Sequence, residues 1–218
     1  MRRPQKHSRT QQARSAGTRA AILAAAADAF AESGLAGART DAIAAAAGVN
    51  KAMLYYYFQS KDRLFEAVVE NHFAEFNRRA LEVLAEDRPA RSVLLHYVNL
   101  HFDFITERRR YACIYQQLMM SGGRPLERLV RKYFVPRSAA LDRVLERGMH
   151  AGEFRHADRR HTAISIVALI VFYFSASQVL QFLGQPDAYD RANLKARKRE
   201  VLDFIRHGLF TDPDAPLS

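Results

Sequence analysis

Between residues 40 and 61 the chain is punctuated so tightly that few folds can hold it. Thr40 stands before DAIAAAA, Asn50 before KAMLYYYF and Ser60 before KDRLFEAV, each a residue type whose side chain caps a helix start. Gly48 and Val49 end the first run after barely two turns. The reading is two short helices joined by a tight glycine-containing turn, then a third and longer helix. That is the helix-turn-helix arrangement, in which the second helix enters the major groove of DNA.

The second helix contains three consecutive tyrosines, and successive side chains on a helix are about 100° apart, so the three cannot share one buried face. With Leu54 at the origin, Phe58 falls at about 40° and the two form the inward stripe. Ala52 and Tyr56 then fall at about 160° and about 200°, pointing away from the core, with Tyr55, Tyr57 and Lys51 on the flanks. A small residue beside an exposed aromatic suits close approach to base edges, and flanking hydroxyls suit phosphate oxygens. Lys61, in the first turn of the next helix, opposes the helix dipole unless an anion lies there too.

Charge supports a polyanionic partner. The net charge is +10, and from Met1 to Arg63 ten Lys and Arg face four Asp and Glu, a surplus of six. Residues 1–15 read as a flexible basic arm, 16–60 as the helix-turn-helix domain and 61–218 as a larger helical bundle. Before that turn, Thr18 is the expected cap of a helix carrying Ile22, Leu23, Ala26, Ala27 and Phe30 inward and stopping near Gly34. The fold class expected is all-α, with about nine helices.

The stretch TDAIAAAAGVNKAMLYYYFQSKDRLFEAV resembles the DNA-binding segment of TetR/AcrR-type transcriptional regulators, within a match over roughly residues 14–70. The resemblance implies a homodimer whose recognition helices, Asn50 to Phe58, enter successive major grooves of a two-fold-symmetric operator on double-stranded DNA. It implies DNA contacts from Thr40, Asn50, Lys51, Ala52, Tyr55, Tyr56, Tyr57 and Lys61. It also implies repression relieved by a small-molecule ligand. Two positions depart from the usual pattern, which often has Gly where Ala52 stands and His where Tyr57 stands.

Beyond residue 61 the helical runs fall at 61–86, 90–106, 108–121, 125–150, 158–184 and 192–210. Their aromatic, thioether and amide residues suit an apolar or aromatic ligand: His101, Phe102, Ile105, Tyr111, Tyr115 and Gln116, then Met119, Met120, Phe134, Phe172 and Gln178. The last two runs offer Ile166, Leu169, Ile170 and Tyr173, and Val201, Phe204, Ile205 and Leu209, as a dimerisation surface. The segments GEFRHAD and FIRHGLF share only a general layout with the family.

The single cysteine, Cys113, reads as a small buried residue and favours a reducing cytoplasmic setting. From Thr162 to Pro186 no charged residue occurs, yet its serines and glutamines favour a buried or intersubunit helix over membrane insertion. No nucleophile elbow, P-loop or dinucleotide-binding glycine pattern is present, and the pairs His96/His101 and His156/His161 are spaced off one helix face. No catalytic group, cofactor or metal is expected. The competing reading is a helical small-molecule-binding or membrane-peripheral protein that meets polyanions without sequence preference.

Overall fold

The computed structural model describes residues 6–108, 110–121, 123–185 and 187–215. These residues form α1 (Lys6–Gly37), α2 (Thr40–Ala46), α3 (Lys51–Phe58), α4 (Lys61–Leu84), α5 (Ala90–Glu107) and α6 (Arg110–Ser121). They continue as α7 (Gly123–Leu129), α8 (Val135–His150), α9 (Arg159–Ser175), α10 (Ser177–Phe182) and α11 (Arg191–Leu209). The fold is all-α, as expected. Two compact units divide it: Met1–His72 with Cys113–Ser121, and Phe73–Ala112 with Gly122–Ser218. Helices α4 and α6 each contribute residues to both.

Helix α1 begins twelve residues before the expected Thr18 cap. The Thr18 hydroxyl instead donates to the Arg14 carbonyl at 3.0 Å, a bond made within a helix rather than at its start. Positions 6–15 of the presumed basic arm are therefore helical, and positions 1–5 lie outside the described residues. The helix kinks at Gly34, where the sequence places its end. Its stripe of Ile22, Leu23, Ala26, Ala27 and Phe30 is buried, with Ile43, Leu54, Phe58, Leu64, Phe65 and Ile114 completing the core of the first unit. Phe30 and Phe65 meet edge to face at 5.2 Å.

In the second unit α5 is buried along most of its length, and α8, α9 and α11 pack against it. Two of the expected runs are divided. Pro136 has no N–H to donate to residue 132, and the ladder before it widens into a π-helical stretch, Val130–Phe134, with the Val135 N–H on the Val130 carbonyl. Ala176 separates α9 from α10, so the uncharged stretch from Thr162 is not one continuous helix. By length and composition Arg14–Gly37 could cross a membrane, but it contains the buried stripe of the first unit.

The α8–α9 connection knots three helix ends together. Glu153 accepts from the N–H groups of Ala90 and Arg91 at 3.1 and 2.9 Å, capping α5 where Pro89 has no side-chain bond to offer. Phe154 lies so close to Gly148 of α8 that a Cβ there would sit 2.2 Å from its ring. It also stacks on Phe210 after α11 at 5.3 Å, joined by an isolated antiparallel bridge. Cys113 is exposed rather than buried, on the outer side of α6 between the buried Ala112 and Ile114.

Candidate nucleic-acid interface and ligand cavity

The turn after α2 is a Schellman motif: Val49 N–H donates to Ala44 O at 3.0 Å and Gly48 N–H to Ala45 O at 3.1 Å. Gly48 has φ 68°, a left-handed conformation that costs most side chains about 1–2 kcal/mol, which is why glycine stands there. Asn50 Oδ1 then accepts from Met53 N–H at 2.8 Å, and Ser60 Oγ from Arg63 N–H at 3.1 Å, both caps as expected. Thr40 does not cap α2; Arg39 occupies that position and offers no side-chain bond. The Thr40 hydroxyl lies 3.4 Å from that of Tyr55 instead.

Leu54 and Phe58 are buried and Tyr56 is 81% exposed, which places α3 in the rotation read from its sequence. Tyr56 meets Tyr57 edge-on at 5.3 Å, and Tyr57 Oη lies 2.9 Å from Ser15 Oγ on α1. Tyr55 and Ala52 are exposed beside them. Lys51 pairs with Asp41 at 2.7 Å. Their hydrogen bond and then their opposite charges hold the Asp41 carboxyl below its usual range and the Lys51 ammonium above its own. The start of α2 and the outer side of α3 thus form one polar edge, on which Ser15, Arg39 and Met53 also stand exposed although the sequence reading passed over them.

Lys61 is placed otherwise than expected. Its ammonium donates to the carbonyls of Ala36 and Ala38, both at 3.1 Å, so the end of α1 supplies the negative partner that its helix-start position calls for.

The expected ligand residues scatter. In the second unit His101, Phe102 and Ile105 are buried on α5, with Phe102 edge-on to Phe174 at 5.2 Å. Tyr115, Gln116, Met119 and Met120 belong to the first unit, and Met120 is 83% exposed. Phe172 and Gln178 face outward, and the Tyr111 side chain lies outside the described residues. The second unit has a cavity of about 420 Å³ lined by Tyr97 of α5, Val130, Phe134, Arg137, Ser138 and Leu141, and Arg160, Ala163, Ile164 and Val167 of α9. Of the expected set, only Phe134 among the described residues lines it. Arg137, 7% exposed, was missed because one charge on an amphipathic helix looks solvated in sequence.

Five of the eight expected dimerisation residues, Ile166, Ile170, Val201, Ile205 and Leu209, are buried within the chain. Their stripe is the inward one, as apolar periodicity alone cannot tell an intramolecular face from an intersubunit one. Leu169 and Tyr173 are half-buried, and Tyr173 Oη accepts from Asn193 Nδ2 at 2.9 Å. Phe204 remains 64% exposed, and Ile164 and Phe172 on α9, Val179 and Phe182 on α10, and Leu183 just after it are exposed too.

A helical unit presenting one capped, tyrosine-bearing helix, followed by a helical unit with a half-open cavity, describes a ligand-linked DNA-binding regulator. Two family descriptions match: bacterial regulatory proteins of the tetR family over residues 22–68, and the tetracyclin repressor-like C-terminal domain over residues 89–205. The chain belongs to the tetR family of bacterial transcriptional regulators.

Among relatives, the HTH-type transcriptional repressor NicS of Pseudomonas putida is 28% identical over 191 residues, 86% of this chain and 88% of its own. The fold is similar to that of a transcriptional regulator from Saccharomonospora viridis in complex with choline, with a TM-score of 0.72, 20% identity, and coverage of 88% and 97% of the two chains. It is also similar to that of FadR from Bacillus subtilis in complex with stearoyl-CoA, with a TM-score of 0.68, 23% identity, and coverage of 85% and 96%.

Proposed function

We propose that this chain is a cytoplasmic, non-enzymatic, homodimeric repressor that reads a two-fold-symmetric operator through α3 and leaves it when a small molecule occupies the second unit. The observation that carries the reading is Tyr56, 81% exposed on a helix fixed at both ends and backed by Leu54 and Phe58. Tyr56 reads bases, with Ala52 giving it room. Tyr55, Tyr57, Thr40 and Lys51 meet the sugar-phosphate backbone on either side, and the Asn50 side chain keeps the helix start in register. Lys61 acts through its field and by tying α1 to α4.

NicS being a repressor supports the direction of control, and the ligands held by the two similar structures support a small-molecule signal. The exposed Phe172, Phe182 and Phe204 supply apolar surface of the kind that joins copies of a chain. Occupancy of the second unit reaches the first through α4 and α6, which contribute residues to both.

Selection of bound duplexes from a random-sequence pool at about 150 mM salt tests the reading, since bulk electrostatic binding is weakened there. The expected outcome is a two-fold-symmetric motif preferred over bulk DNA by about 10³-fold or more. Bound duplexes that share no motif would leave only non-specific polyanion binding.

A further inference from the structure

Several polar groups in the second unit are buried without a hydrogen-bond partner among the described residues, and three of them are Tyr97 Oη, His101 Nδ1 and Arg137 Nη1. These three are neighbours. The His101 ring lies 4.3 Å from that of Phe76 and 5.8 Å from that of Tyr97, and Arg137 Cζ lies 5.0 Å from the Phe76 centroid and 4.9 Å from that of Phe134. The guanidinium therefore lies over the faces of two rings, and among the described residues no carboxylate pairs with it. Ring faces attract a cation less than lost hydration penalises it, so the arrangement lacks an anion.

The cavity beside Arg137 shows where that anion would come from. Among the described residues its wall carries two arginines, Arg137 and Arg160, and no Asp or Glu. Tyr97 and Ser138 add hydroxyls, and Leu141, Ile164 and Val167 make the rest apolar. An adjoining groove is lined by Asp142, Asp158 and Arg159, and Arg159 is matched by Asp142 and Glu146. Burial and then the charge of Arg137 keep the His101 imidazole neutral, so it adds no second buried cation.

We propose that this cavity takes a small amphipathic organic anion, its carboxylate or equivalent head group on the Arg137 edge and its apolar body along Leu141, Ile164 and Val167. Guanidinium suits a two-oxygen head group because its parallel N–H pairs match it, and the Tyr97 hydroxyl is placed to donate to the same group. The assignment rests on the reading that the second unit takes a small-molecule ligand, and it names the ligand's class.

Calorimetric titration of the full chain with octanoate, phenylacetate, their neutral amides, octylamine and choline tests it. The acids are expected to bind, with the amides and cations weaker by about tenfold or more, the value of one charged hydrogen bond. Arg137→Met should remove the preference for acids and, unlike a structural arginine, raise the melting temperature of the ligand-free protein. Arg137→Lys keeps the charge without the fork and should keep the preference at lower affinity. Amides that bind as well as acids, an Arg137→Met protein with unchanged acid affinity, or acids that do not bind at all would each overturn the assignment. Anisotropy of a labelled operator duplex, followed in the same titrations, separates the two readings. Acids that bind through Arg137 yet leave the duplex bound would sustain the anion site and sink ligand-driven release.

Discussion

Tyr56 and Tyr97 show how differently the two units use the same side chain. Tyr56 is 81% exposed on α3; Tyr97 is fully buried on α5 with its hydroxyl unsatisfied among the described residues. Water satisfies the first hydroxyl until a base edge or phosphate replaces it, so holding it ready is nearly free. Each unsatisfied group inside costs about 1–3 kcal/mol. An open polar face outside is therefore ordinary and needs other observations to mean recognition. The same openness inside is costlier, and it points to a ligand only where such groups cluster beside a cavity, as Tyr97 and Arg137 do.

The largest expected effect tests the support behind the outer tyrosine. Leu54→Ala empties a fully buried position and should lower stability by about 2–5 kcal/mol in denaturant titration. A loss below about 1 kcal/mol would mean that α3 is held by its outer side, and the contrast of inner support with outer readout would fail. Next, Lys61→Met removes two charged hydrogen bonds to carbonyls and should lower stability by about 1.5–3 kcal/mol. Unchanged stability with weaker binding to every duplex would return Lys61 to the outer surface as a phosphate contact.

The third test belongs to the buried cluster. Burial holds the folded-state pKa of His101 well below its ordinary 6.5, so at mildly acidic pH the unfolded chain takes up a proton that the folded chain refuses. Stability is then fully present above about pH 6.5 and is lost as pH falls toward the folded pKa, at up to about 1.4 kcal/mol per unit. His101→Phe should flatten that part of the pH–stability curve; an identical slope would assign it to other groups. Smallest in stability is Tyr56→Ala, within about 0.5 kcal/mol of the parent. Its effect appears in binding, where operator preference over random DNA should fall by about 1–3 kcal/mol. Equal weakening on both DNAs would remove Tyr56 from base readout.

The outer region was legible because its geometry is local. Helical rotation alone fixes Leu54 and Phe58 inward and Tyr56 outward, and Asn50 and Ser60 cap the helices they precede. The local rules misled where a side chain had a competing partner: Thr40 turns to Tyr55, Thr18 bonds back to Arg14, and Lys61 reaches Ala36 and Ala38. The cavity was not legible because α5, the π stretch with α8, and α9 must pack before Tyr97, Arg137 and Ile164 share a wall. The segments GEFRHAD and FIRHGLF lay between these cases. Their layout was visible, while the pairing of Phe154 with Phe210 that explains it depends on the packed bundle.

Glu153 and Phe154 have a mechanical consequence. They pin the first turn of α5, the last turns of α8 and the end of α11 at one place, with Arg147 also donating to the Arg88 carbonyl at 3.1 Å. Arg137 stands at the opposite end of α8, next to the π stretch where the helical ladder is already loosened. A head group seated against Arg137, as proposed, would therefore act on α8 at the end opposite its Gly148 contact with Phe154.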